Sequence, residues 1–167
     1  MPVDEQDTRY LERAMQLAET RRGCTSPNPL VGAVVVAEGR VLGEGYHLGP
    51  GYDHAEVAAM KDALQRAGVP EERLGEGWPA AIGQLFRGAT MYVNLEPCCT
   101  YGRTPPCTDA LIAAGLGRVV VGAIDPSPEV NGRGLALLQA AGIQVDVADG
   151  PTALRAKRQN GGMRKAV

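Results

Sequence analysis

Aromatic side chains are scarce in this chain: one Trp, one Phe and five Tyr make up 4% of its 167 residues. With so few stacking platforms and a formal net charge of -2, a long nucleic acid is not an expected partner, because such binding draws on clustered Lys and Arg and on base stacking. No apolar stretch approaches the ~20 residues of a membrane span, and the polar opening Met1-Pro2-Val3-Asp4-Glu5 is not a signal peptide. A cytoplasmic protein without a membrane partner is expected. A glycine-rich nucleotide fingerprint is also missing, so no NADPH chemistry is expected. Cysteine (four residues) and histidine (two) are few as well, which makes their positions informative. Hydrophobic residues at 44% and charged residues at 22% suit one soluble domain with its own core.

Of the two histidines, His54 opens the triplet His54-Ala55-Glu56, and two of the four cysteines, Cys98 and Cys107, bracket a Gly/Pro loop. Four cysteines would allow two disulfides in a secreted chain, but the adjacent pair Cys98-Cys99 in such a loop suits metal ligation in a reducing compartment better. A catalytic zinc usually takes three ligands from His, Cys, Asp or Glu and keeps a fourth position for water. His54, Cys98 and Cys107 offer one imidazole and two thiolates, a set that is formally neutral with Zn2+ before water binds. Zinc held this way lowers the pKa of its water from about 15.7 toward roughly 7. Glu56, two residues from His54 at a helix start, is placed to stand over the open position and move protons. A lone His-x-Glu at a helix start is common in proteins that bind no metal. The gathering of both rare residue types around one motif favours a single zinc per chain. The first half matches the arrangement of zinc nucleobase deaminases, His-x-Glu followed by Pro-Cys-x-x-Cys. The second half departs from it, with eight residues between the cysteines and Pro105-Pro106 before the second. Cys24 and Cys99 read as ordinary thiols.

Along the chain, Leu11, Ala14, Met15 and Ala18 give residues 8–22 the spacing of an amphipathic helix, with Asp7 as its N-cap and Gly23 as its end. Asn28 lies between two prolines in restricted, extended backbone, and taken alone it reads as satisfying its own turn. Residues 30–37 form the continuous apolar run of a strand buried on both faces. Glu38-Gly39 turns the chain into a return strand over 40–48, making a hairpin. Glycines at 43, 45, 49 and 51 surround His47 and imply either close backbone approach to a ligand or a plain loop. His47 by itself is more commonly a surface or packing residue. Residues 54–67 read as a helix with a small-residue face, closed by Gly68. Residues 69–88, with Trp78 and Phe86 and a short helix over 80–86, are a pocket cover, a subunit contact or a tolerated surface loop. A strand over 89–95 delivers Glu96 and Cys98 to the end of the sheet, where open α/β sheets hold ligands. The helix after Cys107 starts at a ligand, where free N–H groups favour a thiolate. A strand over 118–124, a helix over 135–141 and a strand over 143–147 complete an α/β fold with a mixed five-stranded sheet and helices on both faces. Residues 1–150 read as the zinc domain. Residues 151–167 read as a basic helical tail that breaks at Asn160-Gly161-Gly162.

Four stretches, met in order between residues 10 and 147, resemble the deaminase domain of the RibD family of riboflavin biosynthesis proteins. They are Ser26-Pro27-Asn28-Pro29-Leu30-Val31-Gly32, His54-Ala55-Glu56, the run from Glu96-Pro97-Cys98 to Gly102-Arg103-Thr104-Pro105-Pro106-Cys107, and Asp125-Pro126-Ser127-Pro128. The resemblance implies a three-layer α/β/α cytidine-deaminase-like fold, zinc on His54, Cys98 and Cys107, and Glu56 as catalytic acid/base. It further implies hydrolytic deamination of the phosphoribosylated diaminopyrimidine of riboflavin synthesis, with Asn28 and His47 lining the substrate pocket. Arg103 falls where the family has Lys or Arg, and a guanidinium suits a phosphate; bracing its own loop is the alternative. Thr100 takes the place of a usual His, and its hydroxyl lacks the reach and pH response of imidazole. That departure, the 69–88 segment and the expected absence of a reductase domain leave open a deaminase of another amino-heterocycle. The non-enzymatic alternative is a structural zinc homologue acting as a partner subunit, with Cys99 as fourth ligand. The likeness and the apolar helix faces point to a homo-oligomer.

Overall fold

The apolar run that follows Val31 becomes the interior of a sheet. In the computed structural model of the protein, which describes residues 3–24, 29–49, 52–75, 77–79, 83–97, 107–124 and 132–161, β1 (Gly32–Ala37) pairs antiparallel with β2 (Arg40–Tyr46) and with β3 (Thr90–Leu95). β3 runs parallel to β4 (Arg118–Ala123), and β4 parallel to β5 (Gln144–Val147), giving the order β2-β1-β3-β4-β5. The hairpin turns through Glu38 and Gly39, both at positive φ (52° and 75°), as two-residue hairpin loops of the mirror-image type require.

Alternate side chains of a strand face opposite ways, and the core divides accordingly. Ala33, Val35, Met91, Val93, Val119 and Val121 pack with α2 (Ala55–Arg66), α3 (Cys107–Ala113) and α4 (Arg133–Ala140). Val34, Val36, Tyr92 and Val120 pack on the other face with α1 (Glu5–Glu19). α5 (Gly150–Gln159) lies beside α1 and against β4. The three-layer α/β/α arrangement and the mixed five-stranded sheet agree with the sequence reading. No helix among the described residues is long and apolar enough to cross a membrane.

Several local expectations change. α1 is capped by Asp4, not Asp7: the Asp4 carboxylate accepts the Asp7 amide at 2.8 Å, and the Asp7 carboxylate accepts the Asp4 amide at 3.1 Å. This reciprocal box satisfies two otherwise orphaned donors. Gly43 and Gly45 do admit a close approach, but to a helix: a Cβ on either would sit 2.4 Å from backbone atoms of Ala59 in α2. Residues 69–88 do not form a loose surface loop in their described parts. They make single helical turns at Glu71–Arg73 and Gly83–Phe86, and Leu74, Trp78 and Phe86 are buried in the same core as Met60 and Leu64. Of the short helix expected over 80–86, residues 80–82 lie outside the described residues. The segment from residue 151 is helical up to Asn160, as expected, forming most of α5; Asn160 is fully buried, accepting the Leu30 amide at 2.7 Å and donating to the Leu30 carbonyl at 3.0 Å.

Candidate active site

His54 occupies the N-cap of α2 in extended backbone (φ -69°, ψ 161°) and makes no side-chain capping bond. Its ring meets the first residue of α3 instead: Nδ1 lies 2.9 Å from Cys107 Sγ. Cys107 is buried, and so is Glu56 in the first turn of α2, which hydrogen-bonds the same cysteine. The two helix starts therefore bring an imidazole, a thiol and a carboxyl together beside the sheet. His47, just past β2, is 3% exposed; its Nδ1 lies 3.0 Å from the Asp53 carbonyl, and its ring stands edge-on to His54 with centroids 5.1 Å apart.

Electrostatics separate the roles of these groups. Burial pushes the Glu56 pKa up to about 7, opposed by its own backbone and by Cys107. A carboxyl poised there changes protonation near neutral pH, as a general acid/base must. Burial, reinforced by the nearby His47, holds the His54 pKa below the usual imidazole value against the pull of Asp53. His54 is thus kept neutral, the form that ligates metals. An imidazole nitrogen and a sulfur in contact are borderline donors that suit zinc, with a carboxyl at hand to exchange protons. Among the described residues no group of three His, Cys, Asp or Glu side chains is placed to hold a metal. The third expected ligand, Cys98, lies outside the described residues, as do Asn28, Thr100 and Arg103.

Three buried polar residues support the site through partners that the sequence does not point to. Glu96, next to Pro97, accepts the amides of Gly132 at 2.9 Å and Gly134 at 3.0 Å, so the chain leading to Cys98 is fastened to the start of α4. Asn94 accepts the Gly32 amide at 2.9 Å and donates to the Leu30 carbonyl at 3.0 Å and to Gln159 at 2.9 Å. With Asn160 it fixes the entry to β1, immediately after the segment carrying Asn28. Asn94 carried a signal, since an amide inside an apolar strand must find partners; Asn160 and Glu96 carried none that pointed to theirs.

Residues 4–123 match the family described as the cytidine and deoxycytidylate deaminase zinc-binding region. The riboflavin biosynthesis protein RibD of Escherichia coli (strain K12) is 47% identical over 162 residues, covering 97% of this chain and 38% of that protein. Among solved structures, Acinetobacter baumannii RibD (form 2) superposes with a TM-score of 0.78 at 39% identity, covering 97% of this chain and 40% of that one. A Thermotoga maritima diaminohydroxyphosphoribosylaminopyrimidine deaminase/5-amino-6-(5-phosphoribosylamino)uracil reductase gives a TM-score of 0.79 at 37% identity, over 97% and 41%. The chain therefore spans about two fifths of the length of these relatives. A histidine and a cysteine meeting at two helix starts, a buried glutamate beside them and a match over residues 4–123 lead to one assignment: the chain belongs to the zinc-binding cytidine and deoxycytidylate deaminase family.

Proposed function

We propose that the chain is a zinc-dependent hydrolytic deaminase whose substrate is the phosphoribosylated diaminopyrimidine of riboflavin biosynthesis. The contact of His54 Nδ1 with Cys107 Sγ at 2.9 Å, with Glu56 buried against the same sulfur, carries this reading. His54, Cys107 and Cys98 would hold the metal, which when bound activates water as a nucleophile at neutral pH. In the reaction the water oxygen bonds to the ring carbon bearing the amino group, and the carbon–nitrogen bond breaks to release ammonia. Glu56 takes one proton from water and delivers it to the ring nitrogen, then takes the second from the added hydroxyl and passes it to the departing amine as the carbonyl forms. Its burial suits both halves of this exchange, because a carboxyl near pKa 7 gives and takes protons at little cost. Asn28 and His47 would orient the ring, Thr100 would donate a hydrogen bond, and Arg103 would pair with the phosphate. A homo-oligomer goes with this reading and is checked by light scattering.

The test is ammonia release by the zinc-loaded protein from a panel of the riboflavin intermediate, cytidine, deoxycytidylate and guanine. Release from the first, lost in Glu56→Gln while zinc is retained, is the expected result. Release from another member alone would keep the reaction class and overturn the substrate. No release from any member would overturn the enzyme reading in favour of a zinc homologue serving as a partner subunit.

A further inference from the structure

The 69–88 segment reaches the candidate site as well as the core. A cleft of about 440 Å³ is lined by His54 and Cys107 and, from that segment, by Leu74, Trp78 and Pro79. Lys61, two turns along α2 from His54, lines it too. Its ammonium lies 2.8 Å from the Asp53 carboxylate and 6.0 Å from the centroid of the Trp78 ring. Asp53 directly precedes His54, and its carbonyl oxygen is the atom 3.0 Å from His47 Nδ1. One line of contacts thus runs from the buried Trp78 through Lys61 and Asp53 to both histidines.

We propose that Lys61 is a positioning residue: seated against Trp78, it anchors Asp53 and so fixes the ring of His47 and the placement of His54. The geometry favours this over a plain surface ion pair. With side chains 28% and 42% exposed, the Lys61–Asp53 pair contributes little to overall stability. Asp53 lies outside the helix, eight residues before Lys61, so the pair ties the turn carrying His54 to the body of α2. A backbone carbonyl that faces one ring nitrogen selects the tautomer and orientation of that imidazole. Trp78 thereby acts on the site through Lys61 and Asp53.

The inference rests on His54 being a metal ligand, and its test can fail independently of the deaminase reading. Lys61→Met keeps the aliphatic stem and removes the charge; Lys61→Arg keeps the ion pair. In the full chain, zinc affinity by competition with a chromogenic chelator should fall about tenfold in Lys61→Met, the size typical for partners of metal ligands, and stay near the parental value in Lys61→Arg. The histidine ring nitrogen resonances of the zinc-loaded protein should shift in the first variant and not in the second. The metal-free unfolding midpoint should move by no more than about 2 °C. Parental zinc affinity with unchanged histidine resonances in Lys61→Met would overturn the proposal. An equal loss in both variants, or a loss matched by a large fall in the metal-free midpoint, would do the same. A tenfold loss of zinc affinity in a protein that releases ammonia from no member of the panel would sink the deaminase reading and leave this inference standing.

Discussion

Among the buried carboxyl groups of the described residues, Glu56 and Asp7 lie on opposite faces of the sheet and are driven in opposite directions. Glu56 is 2% exposed, and its pKa is pushed up to about 7 by burial. Asp7 is 4% exposed, and burial would raise it too. The Arg118 guanidinium, at 2.9 and 3.0 Å, and the Tyr92 hydroxyl, at 2.6 Å, instead hold it below the usual carboxylate value. Burial sets the stakes and the partners decide the sign. Asp7 is kept charged to join α1 to β3 and β4, a structural task. Glu56 is left able to carry a proton near neutral pH, as the proposed acid/base role requires, at a cost in stability.

The largest expected effect falls on Glu56. Glu56→Gln should lose about 10²–10⁴-fold in turnover, read by ammonia release, while retaining zinc by metal analysis. Removal of zinc by a chelator should abolish turnover and its return should restore it. Next in size is Arg118→Met, which leaves Asp7 buried without its guanidinium. Unfolding by denaturant should show a loss of about 3–5 kcal/mol, with zinc binding unaffected at pH 7.

The two carboxyls respond to pH with opposite slopes. In the metal-free protein, folded Glu56 keeps a proton that the unfolded chain releases above about 4.5. Its contribution to stability is therefore full below that pH and is lost as pH rises toward about 7, by about 3 kcal/mol at most. Glu56→Gln should flatten this decline in denaturant midpoints measured across the window. Asp7 has the reverse slope, with its stabilisation present above the ordinary carboxylate pKa and lost on acidification below it. Smallest is Tyr92→Phe, which removes one hydrogen bond to a charged partner and should cost about 1.5–3 kcal/mol of unfolding free energy. An equal response of the two carboxyls to pH would show that their partners do not set the sign of the shift.

Much of the fold was legible because its signals are local. The run from Gly32 to Ala37 is apolar at every position, so a strand with both faces covered was readable, and Glu38-Gly39 marked the turn. His54 and Cys107 stood out because their residue types are rare, Glu56 because it lies two residues from His54, and the structure brings these three together. The partners of buried polar groups were not legible. Asn160 meets Leu30 across 130 residues and Glu96 meets Gly132 across 36, and no local pattern encodes which distant amide a side chain will find. The capping residue of α1 was misplaced because Asp4 and Asp7 are chemically alike and only the geometry of the first turn tells them apart. Trp78 and Phe86 sat in a segment with loop-like composition, where burial depends on the cavity that α2 leaves open.

Gly43 and Gly45 leave α2 and β2 separated by no more than hydrogen atoms. Drift at these two positions has nowhere to go: any side chain would lever the helix outward and carry His54 and Glu56 with it. Engineering that widens the cleft would therefore have to work from α3 or from the 69–88 segment, whose Leu74, Trp78 and Pro79 line it, because α2 has no room to move toward β2.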